Sequence, residues 1–256
     1  MKRIVTYPLI GLAKTLGLLP RPHTSAVILA GGMGSRMGAA EGTAKQWMML
    51  GGKTVLERAV AAFEASPCID EIVVVVRRGE GNKAASLLRA MGVSKVRAVV
   101  AGGETRQQSA YCGARRVSGK TRYIAIHDAA RCLIEPEDIS AVVRMAYKEK
   151  AASLGTPVTD TVKCVDSRLY VKGTKERKEL WLAATPQVFA YPMYMGAAVN
   201  ALRTGQEVTD DNMLMESIGQ RVRMVEARGN VLKITTKRDF RLAEAVLAYE
   251  RGGKTE

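Results

Sequence analysis

A glycine-rich segment followed by two cations is the first place in this sequence where chemistry could take place. The apolar run AVILA (26–30) leads directly into GGMG (31–34), and Arg36 and Lys45 follow. Backbone N–H groups of such a loop can surround phosphate oxygens, because glycine lets the main chain approach closely. The two cations would add positive charge beside the same phosphates. The segment therefore predicts a site for a phosphorylated ligand.

The spacing of these glycines does not fit the two best-known phosphate loops. The P-loop pattern GxxxxGK[ST] is missing from the chain. The dinucleotide pattern GxGxxG fails because Gly32 and Gly34 are followed by Gly38, one residue too late. A plain strand-to-helix turn is the other interpretation, and the combination of four glycines with two cations argues against it.

Two further segments carry groups that suit an anionic ligand. HDAAR (127–131) follows the apolar run YIAI, so Asp128 is predicted at the C-terminal end of a strand, where open α/β sheets bind ligands. The alternative role for Asp128 is a helix N-cap. Lys233 lies between apolar neighbours in VLKITT, and a lysine in that setting needs an anion, which a phosphate would supply.

The elements that must position these residues alternate between strands and helices. Apolar runs rich in Val and Ile predict strands, and a 3.6-residue periodicity between them predicts helices. This alternation indicates βαβ units and a mostly parallel sheet. The predicted strands are 26–30, 71–76, 96–101, 123–128, 152–158, 221–227 and 231–236, and the predicted helices are 54–65, 82–91, 106–117, 136–150, 193–202 and 239–249. The polar, basic segment 163–179 predicts a projecting hairpin or arm.

Composition narrows the class of protein. The chain has 256 residues, a net charge of +14 and 5% aromatic residues. The charge suits nucleic acid, a membrane surface or phosphorylated metabolites. Four cysteines without a CxxC pair favour a reducing cytoplasm over a disulfide framework, and two histidines argue against a histidine-based metal centre.

Residues 1–24 are predicted to be an N-terminal extension of a single domain at 25–256. The extension has a basic start and an apolar run, but Pro8, Gly11 and Lys14 interrupt that run. It is too short and broken for a membrane span, and it lacks the cleavage site of a signal peptide. We therefore expect no stable membrane insertion.

Six ordered motifs beyond the glycine loop identify a family. LAGGMGSRMG and AKQW resemble the signature of sugar-phosphate nucleotidyltransferases. The motifs that resemble 2-C-methyl-D-erythritol 4-phosphate cytidylyltransferases, in the same order, are GGETRQQSA (102–110), HDAAR (127–131), PVTDTVK (157–163), LAATPQVF (182–189), VTDD (208–211) and LKITT (232–236). The resemblance covers about 230 residues, from Ser25 to the C-terminus.

The resemblance implies a fold and a reaction. The expected fold is α/β: a Rossmann-like, three-layer domain with a mostly parallel central sheet and a β-arm, at about 160–180, that clasps a second subunit in a homodimer. The expected reaction joins CTP to methylerythritol phosphate, with Mg²⁺, and releases pyrophosphate in the non-mevalonate isoprenoid pathway.

The resemblance also implies roles for individual residues. Those expected to act in catalysis are Arg36, Lys45 and Lys233. Those expected to bind the nucleotide are Ala30, Gly31, Gly32, Gly34, Gly103, Glu104, Arg106, Ser109, Asp128 and Ala129, with Asp128 also a candidate Mg²⁺ ligand. Those expected to bind the polyol phosphate are Arg131, Thr161, Arg177, Thr185, Thr209 and Asp210.

Three positions depart from the family pattern, and two alternative functions are weighed against the family reaction. Ala44 and Cys132 stand where the family usually has proline, and Ser35 stands where many members have a second basic residue. These departures leave room for another polyol phosphate, such as ribitol 5-phosphate. A nucleic-acid-binding module would need clustered basic residues with exposed aromatics. Here the basic residues are dispersed and the aromatics are few, so we expect no nucleic-acid partner.

Overall fold

The structure is a computed structural model that describes residues 21–32 and 44–252. The N-terminal part of the predicted extension and the second half of the glycine loop therefore lie outside the described residues. Two of the predicted site residues, Gly34 and Arg36, are among them. None of the described helices is long and apolar enough to cross a membrane.

A seven-stranded sheet forms the centre of the described chain. The strands are β1 (Thr24–Leu29), β2 (Met49–Leu50), β3 (Lys53–Thr54), β4 (Glu71–Val76), β5 (Val96–Ala101), β6 (Tyr123–Asp128), β7 (Ala151–Pro157), β8 (Lys163–Val165), β9 (Val171–Thr174), β10 (Trp181–Ala190) and β11 (Arg223–Glu226). The helices are α1 (Val55–Ala65), α2 (Gly81–Ala90), α3 (Arg106–Ala114), α4 (Pro136–Glu149), α5 (Tyr191–Thr204), α6 (Asn212–Ser217) and α7 (Lys237–Gly252). Short 3₁₀ helices cover Lys45–Trp47 and Arg177–Glu179.

The strand order of the large sheet is β11-β7-β10-β6-β1-β4-β5. β1 lies at the interior between β6 and β4 and pairs with both in parallel. β10 runs antiparallel to its two neighbours, β6 and β7. The predicted α/β class with a mostly parallel sheet is thus confirmed, with one antiparallel strand inserted near the centre.

Helices cover both faces of the sheet, which gives three layers. Because successive side chains of a strand point to opposite faces, Ile28 and Val74 pack on one face while Val27 and Val75 pack on the other. The first face is covered mainly by α1, α2, α4 and α7, and the second by α3, α5 and α6. Every residue of β4 is buried, as expected for a strand with both faces covered.

Most predicted elements are present within a few residues of their expected bounds, but the predicted strand 231–236 is absent, and β2, β3, β10 and α6 were not predicted. The segment 231–236, predicted as a strand, pairs with no strand within residues 21–32 and 44–252. Its N–H groups instead bond to separate acceptors, such as the Ala130 carbonyl for Ile234 and the Asn230 side chain for Leu232. β10 was not predicted as a strand, because its sequence contains Pro186 and few consecutive β-branched residues.

The predicted arm is a two-stranded hairpin outside the main sheet. β8 and β9 pair antiparallel only with each other. Their connecting turn is held by Asp166, whose carboxylate accepts hydrogen bonds from the backbone N–H groups of Arg168 and Tyr170 at 2.9 and 3.0 Å. The hairpin exposes a row of apolar side chains, namely Val165, Leu169, Tyr170 and Val171.

Two helical glycines give a prediction about packing. A Cβ at Gly113 of α3 would lie 2.4 Å from Val27 Cγ1 and 2.7 Å from Val75 Cγ2, whereas a Cβ at Gly196 of α5 would have no heavy atom within 4 Å. We expect Gly113→Ala to lower the free energy of unfolding by about 1–2 kcal/mol, because overpacking outweighs the gain in helix propensity. Gly196→Ala should raise it by about 0.5–1 kcal/mol. Urea unfolding of both variants measures this, and equal effects would contradict the close approach at Gly113.

Candidate active site

A cleft of about 320 Å³ opens at the C-terminal ends of β1 and β6. This is the edge at which open α/β sheets bind ligands. The residues that line it are Leu29, Ala30, Gly31, Gly32, Lys45, Gln46, Val55, Gly103, Glu104, Thr105, Arg106, Ser109, Asp128, Ala129, Ala130, Lys233 and Thr235.

Asp128 is the charged centre of this cleft. Its Oδ1 atom accepts a hydrogen bond from Arg106 Nε at 2.9 Å, and its Oδ2 atom accepts one from Lys233 Nζ at 2.6 Å. Burial alone would raise the pKa of Asp128, but the charges of Arg106 and Lys233 hold that pKa well below its usual range. The carboxylate is therefore ionised at neutral pH and fixes two cations at the cleft wall.

Arg106 is placed by the start of α3. Thr105 caps the helix, since its side chain accepts the Gln108 N–H while the Gln108 side chain accepts the Thr105 N–H. The preceding turn needs glycine, because a Cβ at Gly103 would lie 2.5 Å from the Gln108 Cβ. The turn therefore packs tightly against the start of α3 and fixes the position of Arg106, the first residue of that helix.

The position of Lys233 is set by the segment 231–235, which is held by hydrogen bonds from Arg131 and to Ala130. The guanidinium of Arg131 donates to the Val231 carbonyl at 2.6 Å and to the Ala183 carbonyl at 3.3 Å. The backbone N–H of Ile234 donates to the Ala130 carbonyl at 2.9 Å. The segment is thus tied to the end of β6, beside Asp128.

Lys45 begins a 3₁₀ turn that is held by a carboxylate. Glu80 accepts hydrogen bonds from the side chains of Gln46 and Trp47, both at 2.9 Å. Lys45 Nζ donates to the Ile234 carbonyl at 3.2 Å, and its stem lies 3.6 Å from where a Gly32 Cβ would be. The lysine therefore spans the cleft from the glycine loop to the Lys233 segment.

The buried residues His127 and Thr185 hold Asp128 in place. The Thr185 hydroxyl accepts the backbone N–H of Asp128 at 3.1 Å and lies 3.0 Å from His127 Nδ1. Burial lowers the pKa of His127 to about 3, so the imidazole is neutral at physiological pH. These contacts fix the end of β6 without adding charge to the cleft.

The structure brings most of the predicted residues together, with clear exceptions. Gly34 and Arg36 lie outside the described residues. The predicted residues that line the cleft are Ala30, Gly31, Gly32, Lys45, Gly103, Glu104, Arg106, Ser109, Asp128, Ala129 and Lys233. Those that do not line it are Arg131, Thr161, Arg177, Thr185, Thr209 and Asp210.

The six residues expected to bind the polyol phosphate lie in three places outside this lining, namely Arg131 and Thr185 beside Asp128, Thr161 and Arg177 at the arm, and Thr209 and Asp210 shortly before α6. Thr161 and Arg177 are exposed at the arm, where Arg177 donates to the Thr159 carbonyl at 2.6 Å. Thr209 contacts the sulfur of Met213, at 3.2 Å from its hydroxyl oxygen. Asp210 accepts a hydrogen bond from Gln187 Nε2 at 2.8 Å.

Asp211 belongs to the charged network but was not predicted. Its Oδ2 atom accepts a hydrogen bond from Arg106 Nη1 at 2.6 Å, and the carboxylate is buried. The motif VTDD contains two adjacent aspartates, and the family resemblance points to Asp210. The only sequence signal for Asp211 is its position shortly before the apolar residues Met213, Leu214 and Met215 of α6, which favours an inward side chain.

The acidic groups of the cleft set limits on a metal site. Within residues 21–32 and 44–252, no three His, Cys, Asp or Glu side chains cluster in a way that could hold a metal ion. The acidic side chains that line the cleft are Asp128 and the exposed Glu104. A metal here would need ligands from a bound substrate.

The buried imidazole predicts a pH dependence of stability. A histidine in the unfolded chain has a pKa of about 6.5, whereas the pKa of His127 in the folded protein is about 3. Between these two pH values the unfolded chain therefore binds a proton that the folded protein does not. Stability should therefore fall by about 1 kcal/mol from this group as the pH drops from 6 to 5, a range above most carboxylate pKa values. We expect His127→Gln to lose that part of the slope when both proteins are unfolded in urea at the two pH values. Identical slopes would contradict a neutral buried imidazole.

Comparison with known proteins identifies the family of the chain. The family described as 2-C-methyl-D-erythritol 4-phosphate cytidylyltransferase matches residues 24–249. The protein of that name from Pelotomaculum thermopropionicum is 40% identical over 233 residues, which cover 91% of this chain and 97% of the relative. The one from Desulforamulus reducens is 41% identical over 223 residues, which cover 87% and 94%.

Solved structures resemble the fold described above. The 4-diphosphocytidyl-2C-methyl-D-erythritol synthase from Anaerococcus prevotii has a TM-score of 0.78 at 28% identity, covering 88% of this chain and 96% of that one. The 2-C-methyl-D-erythritol 4-phosphate cytidylyltransferase from Thermus thermophilus has a TM-score of 0.71 at 27% identity, covering 88% and 99%. Taken with the match over residues 24–249, these findings show that the chain belongs to the 2-C-methyl-D-erythritol 4-phosphate cytidylyltransferase family.

Proposed function

We propose that the cleft binds CTP and transfers its cytidylyl group to 2-C-methyl-D-erythritol 4-phosphate. The products are pyrophosphate and 4-diphosphocytidyl-2-C-methyl-D-erythritol, a precursor in isoprenoid synthesis. The observation that carries the proposal is the convergence of Lys45, Arg106 and Lys233 on one cleft beside the glycine loop, in a chain of this family.

The chemistry asks the protein for positioning and for positive charge. A phosphate oxygen of the acceptor attacks the α-phosphorus, a new P–O bond forms, and the bond to the β-phosphate oxygen breaks. Because the acceptor phosphate is already anionic, no covalent protein nucleophile is needed. Negative charge develops on the α-phosphate and on the leaving pyrophosphate, and fixed cations aimed at these oxygens lower the barrier.

We assign the roles from where each cation lies. Lys45, next to Gly32, binds the triphosphate and stabilises the leaving pyrophosphate. Lys233, held 2.6 Å from Asp128, orients the acceptor phosphate toward the α-phosphorus. Arg131 does not line the cleft, so its expected contact with the acceptor phosphate stays a prediction. The sequence-based expectation for Arg36 stays a prediction.

We also propose that Mg²⁺ assists, held by Asp128 and by the phosphates of CTP. The fit rests on the donor set: one buried carboxylate is enough for an ion that usually takes one or two carboxylates together with substrate phosphates and water. When bound, the ion would supply neutralisation of phosphate charge. The protein's own part is to keep Asp128 ionised.

The arm supports a homodimer, and the composition supports a cytoplasmic location. Leu169 and Tyr170 are 79% and 69% exposed on the hairpin, an arrangement that suits burial against a second copy. A second subunit could bring Arg177 of the arm toward the acceptor site. The cytoplasmic assignment stays a prediction from cysteine usage.

Turnover with defined acceptors tests the function. We expect pyrophosphate release from CTP with methylerythritol phosphate and little with ribitol 5-phosphate. Lys45→Ala should lower kcat by about 100- to 1000-fold, the usual effect of removing one charge-stabilising group from a transition state. An enzyme-coupled pyrophosphate assay measures both.

Lys53→Ala is the matched control, because Lys53 is an exposed lysine of the nearby β2–β3 hairpin and does not line the cleft. It should keep the activity of the unchanged protein. Turnover with ribitol 5-phosphate alone would contradict the proposed acceptor, and near-normal activity of Lys45→Ala would contradict the role of that lysine.

The dimer has its own test. We expect Tyr170→Asp to shift the protein from dimer to monomer in sedimentation velocity, because a buried unpaired carboxylate is costly at an apolar interface. Tyr249→Asp is the control, since Tyr249 is 83% exposed on α7 and is not part of the arm. A monomeric unchanged protein, or a Tyr170→Asp variant that still dimerises, would contradict the proposal.

A further inference from the structure

We propose that Asp211 is a positioning residue that holds Arg106 in the orientation required to bind CTP. The inference rests on the proposed function, because it assigns to Arg106 a contact with the nucleotide. Asp211 itself does not line the cleft and would act only through the guanidinium.

Asp211 is built into the protein interior. It is 1% exposed, and every hydrogen bond described for it comes from a neighbouring element. Its Oδ1 atom accepts the Tyr194 hydroxyl at 3.0 Å, and its backbone N–H donates to Gln187 Oε1 at 2.9 Å. Tyr194 is buried as well, so the carboxylate has a fixed direction and points its Oδ2 atom at Arg106.

The carboxylates of Asp128 and Asp211 bind different nitrogens of the Arg106 guanidinium. Nε donates to Asp128, which lines the cleft, and Nη1 donates to the buried Asp211. Nη2 donates to no residue in the described part of the chain, and the Arg106 side chain keeps 27% of its surface exposed. Asp211 thus anchors one end of the planar group and leaves Nη2 for a ligand in the cleft.

Asp128 cannot fix Arg106 alone. It shares its carboxylate with Lys233, because Oδ1 accepts a hydrogen bond from Arg106 and Oδ2 accepts one from Lys233. A guanidinium held only through Nε can rotate about that contact, whereas two anchors on different nitrogens set both its position and its plane. The contact of Asp211 with Nη1 therefore fixes the orientation of the Arg106 guanidinium, which the salt bridge to Asp128 alone would not do.

Charge alone predicts the opposite effect of removing Asp211. The four ionised groups Lys233, Asp128, Arg106 and Asp211 sum to zero. Loss of one negative charge would favour an incoming triphosphate, so a purely electrostatic role predicts tighter CTP binding for Asp211→Asn. A positioning role predicts weaker binding. The sign of the change thus separates the two.

The test compares steady-state kinetics of Asp211→Asn with the unchanged protein. We expect KM for CTP to rise by about tenfold or more, the effect of losing a charged hydrogen bond, while KM for the acceptor changes less than threefold. Glu71→Gln is the matched control. Glu71 is also a buried, hydrogen-bonded carboxylate, but it lies at the start of β4, at the opposite end of the sheet from the cleft. This control should keep KM for CTP within twofold.

A double-mutant cycle with Arg106→Ala shows whether Asp211 acts through that residue. If it does, adding Asp211→Asn to Arg106→Ala leaves KM for CTP unchanged. A similar rise in both backgrounds would indicate a general structural effect and would overturn the proposal. A lower KM, or a change of less than twofold, in Asp211→Asn would also overturn it.

Two further arms keep the outcome interpretable. Tyr194→Phe keeps both charges but removes the hydroxyl that orients Asp211, and it should raise KM for CTP by about two- to fivefold. It decides the matter if Asp211→Asn does not fold, and an unchanged KM would then overturn the inference. The unchanged protein tests the proposed function separately, since absence of CTP turnover there contradicts that function, whereas active enzyme with insensitive variants contradicts only the role of Asp211.

Discussion

The pairing of the buried Asp128 carboxylate is the interaction on which the rest of the site depends. An ionised carboxylate in the interior is tolerated only when it is paired and hydrogen-bonded. Arg106 and Lys233 supply the opposite charges, and Thr185 accepts the hydrogen bond of the Asp128 backbone. Each partner comes from a different part of the chain, so this one charge fixes the relative positions of α3, β10 and the segment 231–235.

The same pairing explains why the cleft can be rich in cations before any ligand arrives. Lysines and arginines that face one another repel, and a shared carboxylate offsets that repulsion at short distance. Asp128 lies between Arg106 and Lys233, and Asp211 lies on the far side of Arg106. The resulting alternation of charge lets a cytidylyltransferase keep phosphate-binding groups rigid, so that little reorganisation remains when the nucleotide binds.

Sequence patterns predicted the elements whose formation depends on local periodicity. They did not predict features that depend on contacts with residues distant in the sequence. The apolar strands and amphipathic helices were predicted because burial on both sheet faces imposes recognisable periodicities. VLKITT has the pattern of a strand, yet it pairs with no strand in the part of the chain that the structure describes, and its N–H groups make single hydrogen bonds instead, such as that of Ile234 to Ala130. β10 lacks a run of β-branched residues, and it forms a strand because it pairs with β6 on one side and β7 on the other. Most of the nucleotide-side residues share the cleft as predicted, whereas the choice between Asp210 and Asp211 required knowing which one faces Arg106.

The length and path of β10 have a consequence for how the sequence can change over time. Its first three residues are exposed next to the arm, and the next six are buried between β6 and β7, up to the contact of Thr185 with Asp128. This strand, whose register against β7 shifts between Ala183 and Gln187, thus joins a solvent-facing hairpin to the interior. Substitutions at the hairpin tip leave the core untouched, whereas a one-residue insertion or deletion in β10 before Thr185 would shift the residues that follow it to the opposite face and displace Thr185 from Asp128. We therefore expect changes in length to be tolerated in the hairpin and not in the first half of β10.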